Sequence, residues 1–458
     1  MVMGSIPEKV DVAVIGGGVG GYIAAIRAAE LGKSVALIEK EKLGGHCLNY
    51  ACIPSKTLIH ISDILHTAKN SEKFGITVDG IKLDAKKMLE WRMGVSKKLE
   101  EGVAFLCRSN GIDVFNGAAT FLNSNTIQLT EGITIEFKKA IIATGSEPIP
   151  LASLPFGENI IDYKKALMMD SIPKTMIIIG GGYVSVELSM LYAKLGSEIH
   201  IIARSDILSR FDQEAVVILK KRMEDLGIKI HKNSSIISHD EKTVTTDKGE
   251  QLPYDKIVVA VGLSPFTEGL GLNNTGVTTS KEGFIEVDNS LFTSDKNILA
   301  IGDVAGNPML AHKAMRQGVI AGEAASDMKS FFDNIVIPSV IFSDPEIAVA
   351  GTIEENDSIK IIKFPMSAIG RSIAIDAKEG FVKIAYDKSM IVKGVEIVSK
   401  DANSMIAEAA LAIEMGATLE DIASTIHPHP TLSEAIQEAA EAGIGTPIHF
   451  FYNKKKNE

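Results

Sequence analysis

Cysteine is scarce in this chain: 458 residues carry three, Cys47, Cys52 and Cys107. A structural disulfide finds little support, because nothing else in the chain looks secreted. No second Cys or His pair lies at finger spacing from Cys47 and Cys52, which weakens a zinc site even with His46 beside them. Buried inert cysteines stay open as a reading of the pair taken alone. Also missing is an excess of positive charge. The formal net charge is −11, which speaks for solubility and against a nucleic-acid partner. The closing Lys454-Lys455-Lys456 reads as a solvated tail. No apolar run approaches the roughly 18 to 20 residues of a membrane span. Residues 1–9 include Glu8 and lack an apolar signal core, so a cytoplasmic protein with no membrane partner is expected.

What is present is a hydrophobic content of 45%, close to the globular average, in a chain long enough for about two to four domains. Gly44 to Lys56 is its focal stretch. Cys47 and Cys52 stand five positions apart, too far on a regular helix for a strain-free bridge, which needs Cα atoms within about 7 Å. If they pair, Leu48 to Ala51 depart from helical geometry. Pro54 suits a first helical turn, which puts Cys52 near a helix N-terminus, where the dipole favours a thiolate. Lys56 follows one turn further along the same face. Together these features suggest a dithiol that cycles.

Ahead of it, Val10 to Ile15 reads as a buried parallel strand running into Gly16-Gly17-Gly18-Val19-Gly20-Gly21. A helix follows to about Ala29, then a strand from Val35 to Glu39. Gly16 permits a tight turn, Gly18 lets a pyrophosphate approach, and Gly21 allows close helix–strand packing. Glu39 can accept from a ribose diol. The pattern returns at Thr175 to Ile179 with Gly180-Gly181-Gly182-Tyr183-Val184-Ser185. There Ser185 takes the third glycine's place, and the next strand ends in Ala203-Arg204 rather than an acid. Lys256 to Gly262 closes this second unit, and Ile298 to Asp303 sets an acid at a strand's C-terminal end. From about Ile337 mixed strands and two helices (about Ser404–Glu414 and Leu432–Glu441) form an α+β unit. It carries His427-Pro428-His429-Pro430-Thr431-Leu432-Ser433-Glu434. Thr431 and Glu434 alone match a helix capping box.

Taken together, the Gly20–Ala25, Cys47–Lys56, Pro308–His312 and His427–Glu434 stretches resemble the flavoprotein disulfide reductases that bind two dinucleotides. Among them the dihydrolipoamide dehydrogenases are most similar, nearly end to end. The resemblance implies an α/β fold with two Rossmann-like dinucleotide-binding domains plus a C-terminal α+β dimerisation domain. Its boundaries would be 1–148 (FAD), 149–268 (NAD(P)), 269–336 (FAD continuation) and 337–458 (dimerisation). It implies FAD and NAD(P) as cofactors, with Gly16, Gly18, Gly21, Glu39, Lys56, Ala118, Ser146, Asp303 and Ala311 at the flavin dinucleotide. Gly180, Gly182, Ser185, Arg204 and Gly262 would serve the nicotinamide. Cys47 is then the thiol attacked by substrate and Cys52 the one facing the flavin. Lys56 would pair with Glu187, and His429 would be the base oriented by Glu434. A homodimer follows, with a lipoyl-bearing protein or small dithiol as substrate, and a 2-oxoacid dehydrogenase or glycine cleavage complex as candidate assembly.

Two departures from the family bear on chemistry. Thr usually stands where His46 does, and a protonated His46 beside Cys47 would depress the thiol's pKa. Ala203-Arg204 resembles the NADPH-using glutathione reductases, so NADP(H) is the expected preference. The alternatives are a glutathione reductase-like enzyme and a non-catalytic flavin-bearing docking subunit. Mercuric reductase would need a C-terminal cysteine pair, and no cysteine follows Cys107.

Overall fold

The run Val10–Ile15 becomes the strand Glu8–Ile15 of a seven-stranded sheet in the computed structural model, which describes residues 7–451. Its alternate residues enter two cores. Val12 and Val14 pack with Leu37, Ile141 and Leu299; Ala13 and Ile15 pack with Ile38, Ile127 and Ile142. A strand buried on both faces needs apolar residues at every position, so its run is continuous rather than alternating. Parallel pairing extends from it to Val35–Glu39 and Asp113–Asn116 on one side. On the other side it reaches Thr134–Ile142 and then Ile298–Ala300. Thr126–Leu129 and Ala119–Asn123 add antiparallel strands.

The helix Val19–Glu30 packs on Ala311–Ala325 at very short range. A Cβ on Gly318 would stand 2.5 Å from the Gly20 carbonyl oxygen, and one on Gly322 2.8 Å from that of Ala24. This crossing draws a helix from late in the chain onto the first glycine fingerprint.

The chain divides into two compact units. One holds the residues up to Gly180 with Lys194–Ser197 and Ile236–Asp333; the other holds Gly181–Ala193, Glu198–Ser235 and the chain from Asn334. In the first, Thr175–Ile179 and Ile160–Ile161 flank Lys256–Val259 in parallel. An antiparallel meander over Ile236–His239, Thr243–Thr246 and Gln251–Pro253 went unanticipated.

In the second unit Glu198–Ala203 pairs in parallel with Lys229–Lys232. The strands expected to be mixed form a five-stranded sheet, in the order Ser339–Ile341, Glu346–Gly351, Val392–Ser399, Phe381–Asp387, Ile359–Pro365. Every pairing in it is antiparallel. The links from Ile341 to Glu346 and from Asp387 to Val392 are too short for the crossover that a parallel pair requires. Phe364, Val382, Ile384 and Ile397 of the sheet share a core with Met405 of the helix Ala402–Glu414 and Ile436 of the helix Glu434–Ile444. The Lys454–Lys456 tail lies outside the described residues. Among the described residues no helix is long and apolar enough to cross a membrane.

Candidate active site

Cys47 lies in the five-residue helix Gly45–Asn49, and Cys52 is the first residue of the helix Cys52–Lys69, with Pro54 in its first turn. Between them the backbone leaves helical geometry at Tyr50 and Ala51, whose N–H groups both donate to the His46 carbonyl at 2.8 and 2.7 Å. That break brings the two sulfurs into hydrogen-bond contact, in the dithiol form. The shared hydrogen bond with Cys52, and then burial, push Cys47 far above the usual thiol range, while Lys56 draws it down. Cys52 opens its helix, and the positive end of a helix favours a thiolate there.

Two residues that sequence reasoning missed hold the break. The buried Arg92 donates through Nη2 to the Asn49 carbonyl, and Ser96 Oγ donates to that of Leu48 at 2.9 Å. Both project from the helix Ala85–Ser109, where Met88, Arg92 and Ser96 recur every four residues along the buried face. An arginine in an apolar stripe is the signal that marks the position.

His46 lies beside Cys47 among charged neighbours. Its Nε2 lies 3.0 Å from Lys164 Nζ, which also pairs with Glu147 at 2.6 Å. Burial and then the Lys164 charge push the imidazole below its ordinary value, so it is neutral at pH 7.

The first glycine turn has the shape of a phosphate cradle. A Cβ on Gly21 would stand 1.8 Å from the Gly16 oxygen, and one on Gly16 (φ +103°) 2.4 Å from that of Ala143. Gly18, which caps the helix Val19–Glu30, faces open space, with nothing within 4 Å of such an atom. Glu39 is buried and accepts from Gly17 N at 2.7 Å and Glu41 N at 2.7 Å. Each oxygen keeps a lone pair for a ribose hydroxyl. Gly117 N donates to the Glu39 carbonyl, so the exposed Ala118 sits at the same end of the sheet. Asp303 accepts from Ser146 Oγ at 2.7 Å, and its charge is felt at Cys47. Ala311 opens the helix Ala311–Ala325. These residues fit an FAD whose pyrophosphate rests on the first turn.

At the second turn Gly180 belongs to the first unit, as does Gly262 (φ +140°). Gly182 faces open space, and among the described residues the fully buried Ser185 has no hydrogen-bond partner for its Oγ. Arg204 is exposed just past the strand Glu198–Ala203. Within the second unit, Gly182 leaves open space and Arg204 sets a cation past the next strand, features that fit an exchangeable dinucleotide. Glu187 is buried in the second unit and accepts from Phe342 N at 3.0 Å; Lys56 lies in the first unit, where its Nζ is 3.4 Å from Ser55 Oγ.

His429 and Glu434 form a hydrogen-bonded pair, Nδ1 to Oε1 at 2.8 Å, with the imidazole 78% exposed. Glu434 Oε2 also accepts from Thr431 N at 2.7 Å. The capping reading is thus half right: the carboxylate ties the helix entry and orients the imidazole at once. His429 and then Thr431 draw Glu434 below its usual range against the cost of burial. Among the described residues no three His, Cys, Asp or Glu side chains gather as a metal site.

A dithiol at a helix start, on a fold with two glycine-cradled dinucleotide turns, defines an oxidoreductase of the flavoprotein disulfide class. The family described as pyridine nucleotide-disulphide oxidoreductase matches residues 10–318, and that family's dimerisation domain matches residues 337–440. The chain belongs to this family and shares its cofactors, FAD and a pyridine nucleotide. It is 42% identical to the dihydrolipoyl dehydrogenase of Geobacillus stearothermophilus over 98% of this chain and 99% of that one. The dihydrolipoyl dehydrogenase of Thermus scotoductus is also 42% identical, over 96% and 98%. The solved LpdA of Mycobacterium tuberculosis has the same fold, with a TM-score of 0.88 at 24% identity over 95% of this chain and 99% of that one.

Proposed function

We propose that the protein oxidises dihydrolipoyl groups, passing electrons through Cys47–Cys52 to FAD and on to a nicotinamide dinucleotide. The observation that carries this reading is the Cys47–Cys52 contact at a helix start, in a chain whose full-length relatives are named dihydrolipoyl dehydrogenase. FAD, when bound, supplies the two-electron acceptor between disulfide and nicotinamide. In the oxidised enzyme His429, steadied by Glu434, takes the proton from one substrate thiol. The thiolate attacks Cys47 Sγ, the Cys47–Cys52 bond breaks, and Cys52 leaves as the thiolate that its helix and Lys56 favour. The second substrate thiol then attacks the substrate sulfur bound to Cys47, and its proton goes to the departing Cys47. This closes the product disulfide and leaves Cys47 as thiol, Cys52 as thiolate and the first proton on His429.

His429 lies in the second unit and the cysteines in the first. Within the dimer that the C-terminal domain forms, the reading takes each His429 to serve the disulfide of the other subunit. A lipoyl domain of a 2-oxoacid dehydrogenase or glycine cleavage complex is the natural carrier of the substrate. The exposed Arg204 beside Ala203 favours a second element, acceptance of NADP(H), since guanidinium binds a 2′-phosphate that an acid would repel. Steady-state turnover decides among these functions. The expected result is oxidation of free dihydrolipoamide with either nicotinamide and no reduction of glutathione disulfide. Turnover of glutathione disulfide alone would replace this reading with the glutathione reductase one, and a yellow protein that turns over neither would leave a docking subunit.

A further inference from the structure

The short turn that carries Asp303 has a glycine at each end, Gly302 at φ +75° and Gly306 at φ +122°. Glycines at such angles let a segment swing, so by itself this one would not hold a carboxylate in one place. Both ends are tied to a single helix, Ala311–Ala325. Gln317 Oε1 accepts from Gly302 N at 2.8 Å, and Lys313 Nζ donates to the Gly306 carbonyl. The two side chains stand four positions apart on one helix face, and they are 5% and 4% exposed. Lysine is almost never so buried unless paired. Here it is held by a carbonyl, with the charge of Asp303 in reach. Ala314, between the two ties, closes the same face. A Cβ on Gly302 would stand 3.3 Å from the Ala314 Cβ, and one on Gly20 3.0 Å from the Ala314 oxygen. One helix face thus fixes the Asp303 turn and the helix of the first glycine fingerprint together, all within the first unit. Ser146 Oγ takes Oδ2 of Asp303, which leaves Oδ1 for a ligand hydroxyl.

We propose that Lys313 and Gln317 are positioning residues for the flavin: they clamp the two glycine ends of the Asp303 turn, so that its carboxylate meets an FAD hydroxyl already in place. This rests on Asp303 binding FAD. Without the ties, the turn would have to be ordered when the cofactor binds, and that cost would be taken from the affinity. Neither side chain needs to touch the flavin, since each acts through the backbone that carries Asp303.

The test is the rate of FAD release from the diluted holoenzyme, read as flavin absorbance in the protein-free filtrate over time. K313M and Q317M keep the bulk of each side chain and remove one tie each, and each should release FAD roughly tenfold faster than wild type. The two ties are read independently, so a K313M chain that fails to fold leaves Q317M to decide. In a D303A background, adding either substitution should change the rate by less than about twofold, because the carboxylate that the ties position is gone. Rates that rise equally in both backgrounds show ties that serve the fold alone and overturn the proposal, whatever happens to the melting temperature. D303A also separates the two readings. If it releases FAD no faster than wild type, the assignment of Asp303 fails. If it releases FAD faster while K313M and Q317M match wild type, only the present proposal fails.

Discussion

The two glycine turns descend from nearly the same sequence pattern, yet they are finished differently. At the first, the acid that ends the next strand folds back, and both Glu39 oxygens accept backbone N–H groups of the loops beside it. At the second, the strand ends in Ala203, which has no polar side chain to fold back, and the Gly181 oxygen accepts from Leu208 N at 2.7 Å instead. The first cradle is braced by its own chain before any ligand arrives, as suits a resident cofactor. The second is open and bordered by the exposed Arg204, as suits a substrate that must leave each cycle.

Breaking the first turn should have the largest effect. Gly21→Ala sets a methyl 1.8 Å from the Gly16 oxygen, against backbone that cannot move aside. The expected outcome is loss of flavin-loaded protein, read as visible flavin absorbance per chain after purification. At the second turn Ser185 already occupies the equivalent position.

The next effect contrasts two buried acids. Glu39 is satisfied by two backbone donors. Glu396, 1% exposed on the C-terminal sheet, has one oxygen without a partner among the described residues. Burial, and then the Asp212 charge, push it up to about 8. Lys383 pairs with Asp212 at 2.5 Å and with Glu214 at 3.2 Å, and Lys363 pairs with Glu214 at 2.9 Å. A carboxyl raised in the folded state binds its proton more tightly there than when unfolded. Its contribution is therefore present below about pH 4.5 and is lost as pH rises towards 8. Glu396→Gln should flatten that loss, on the order of a few kcal/mol across the window, in denaturant melts at successive pH values.

Arg204→Ala should come third, raising KM for NADP(H) by roughly tenfold or more with NAD(H) kinetics unchanged, from charge-assisted bonds of about 1.5–3 kcal/mol. A KM that rises equally for both nicotinamides would mean that Arg204 does not read the 2′-phosphate. Smallest is Ser185→Ala, which removes a buried hydroxyl without a partner and should stabilise the protein by about 1 kcal/mol.

What sequence made legible follows from how local each feature is. The first fingerprint is strand, turn, helix, strand and acid within about thirty residues, so every part is fixed by its neighbours. His429 and Glu434 are five positions apart around a helix entry, and their pairing could be anticipated. Arg92 and Ser96 reach Asn49 and Leu48 from more than forty residues away. The Glu396–Asp212–Lys383 group depends on the register of two strands and the seat of the helix Gln213–Asp225. Neither arrangement has a local signature. The partners of His46, Lys164 and Glu147, lie about a hundred residues on and have no local signature either.

The central claim is that a dithiol is oxidised at a site built from Cys47 of one subunit and His429 of the other. The direct measurement mixes inactive Cys47→Ser chains with inactive His429→Ala chains, allows subunits to exchange, and assays dihydrolipoamide oxidation. Each heterodimer then regains one site with both residues and one with neither, and an equal mixture should recover about a quarter of wild-type turnover. Verified exchange with no recovery, or full turnover by either parent alone, would contradict the account.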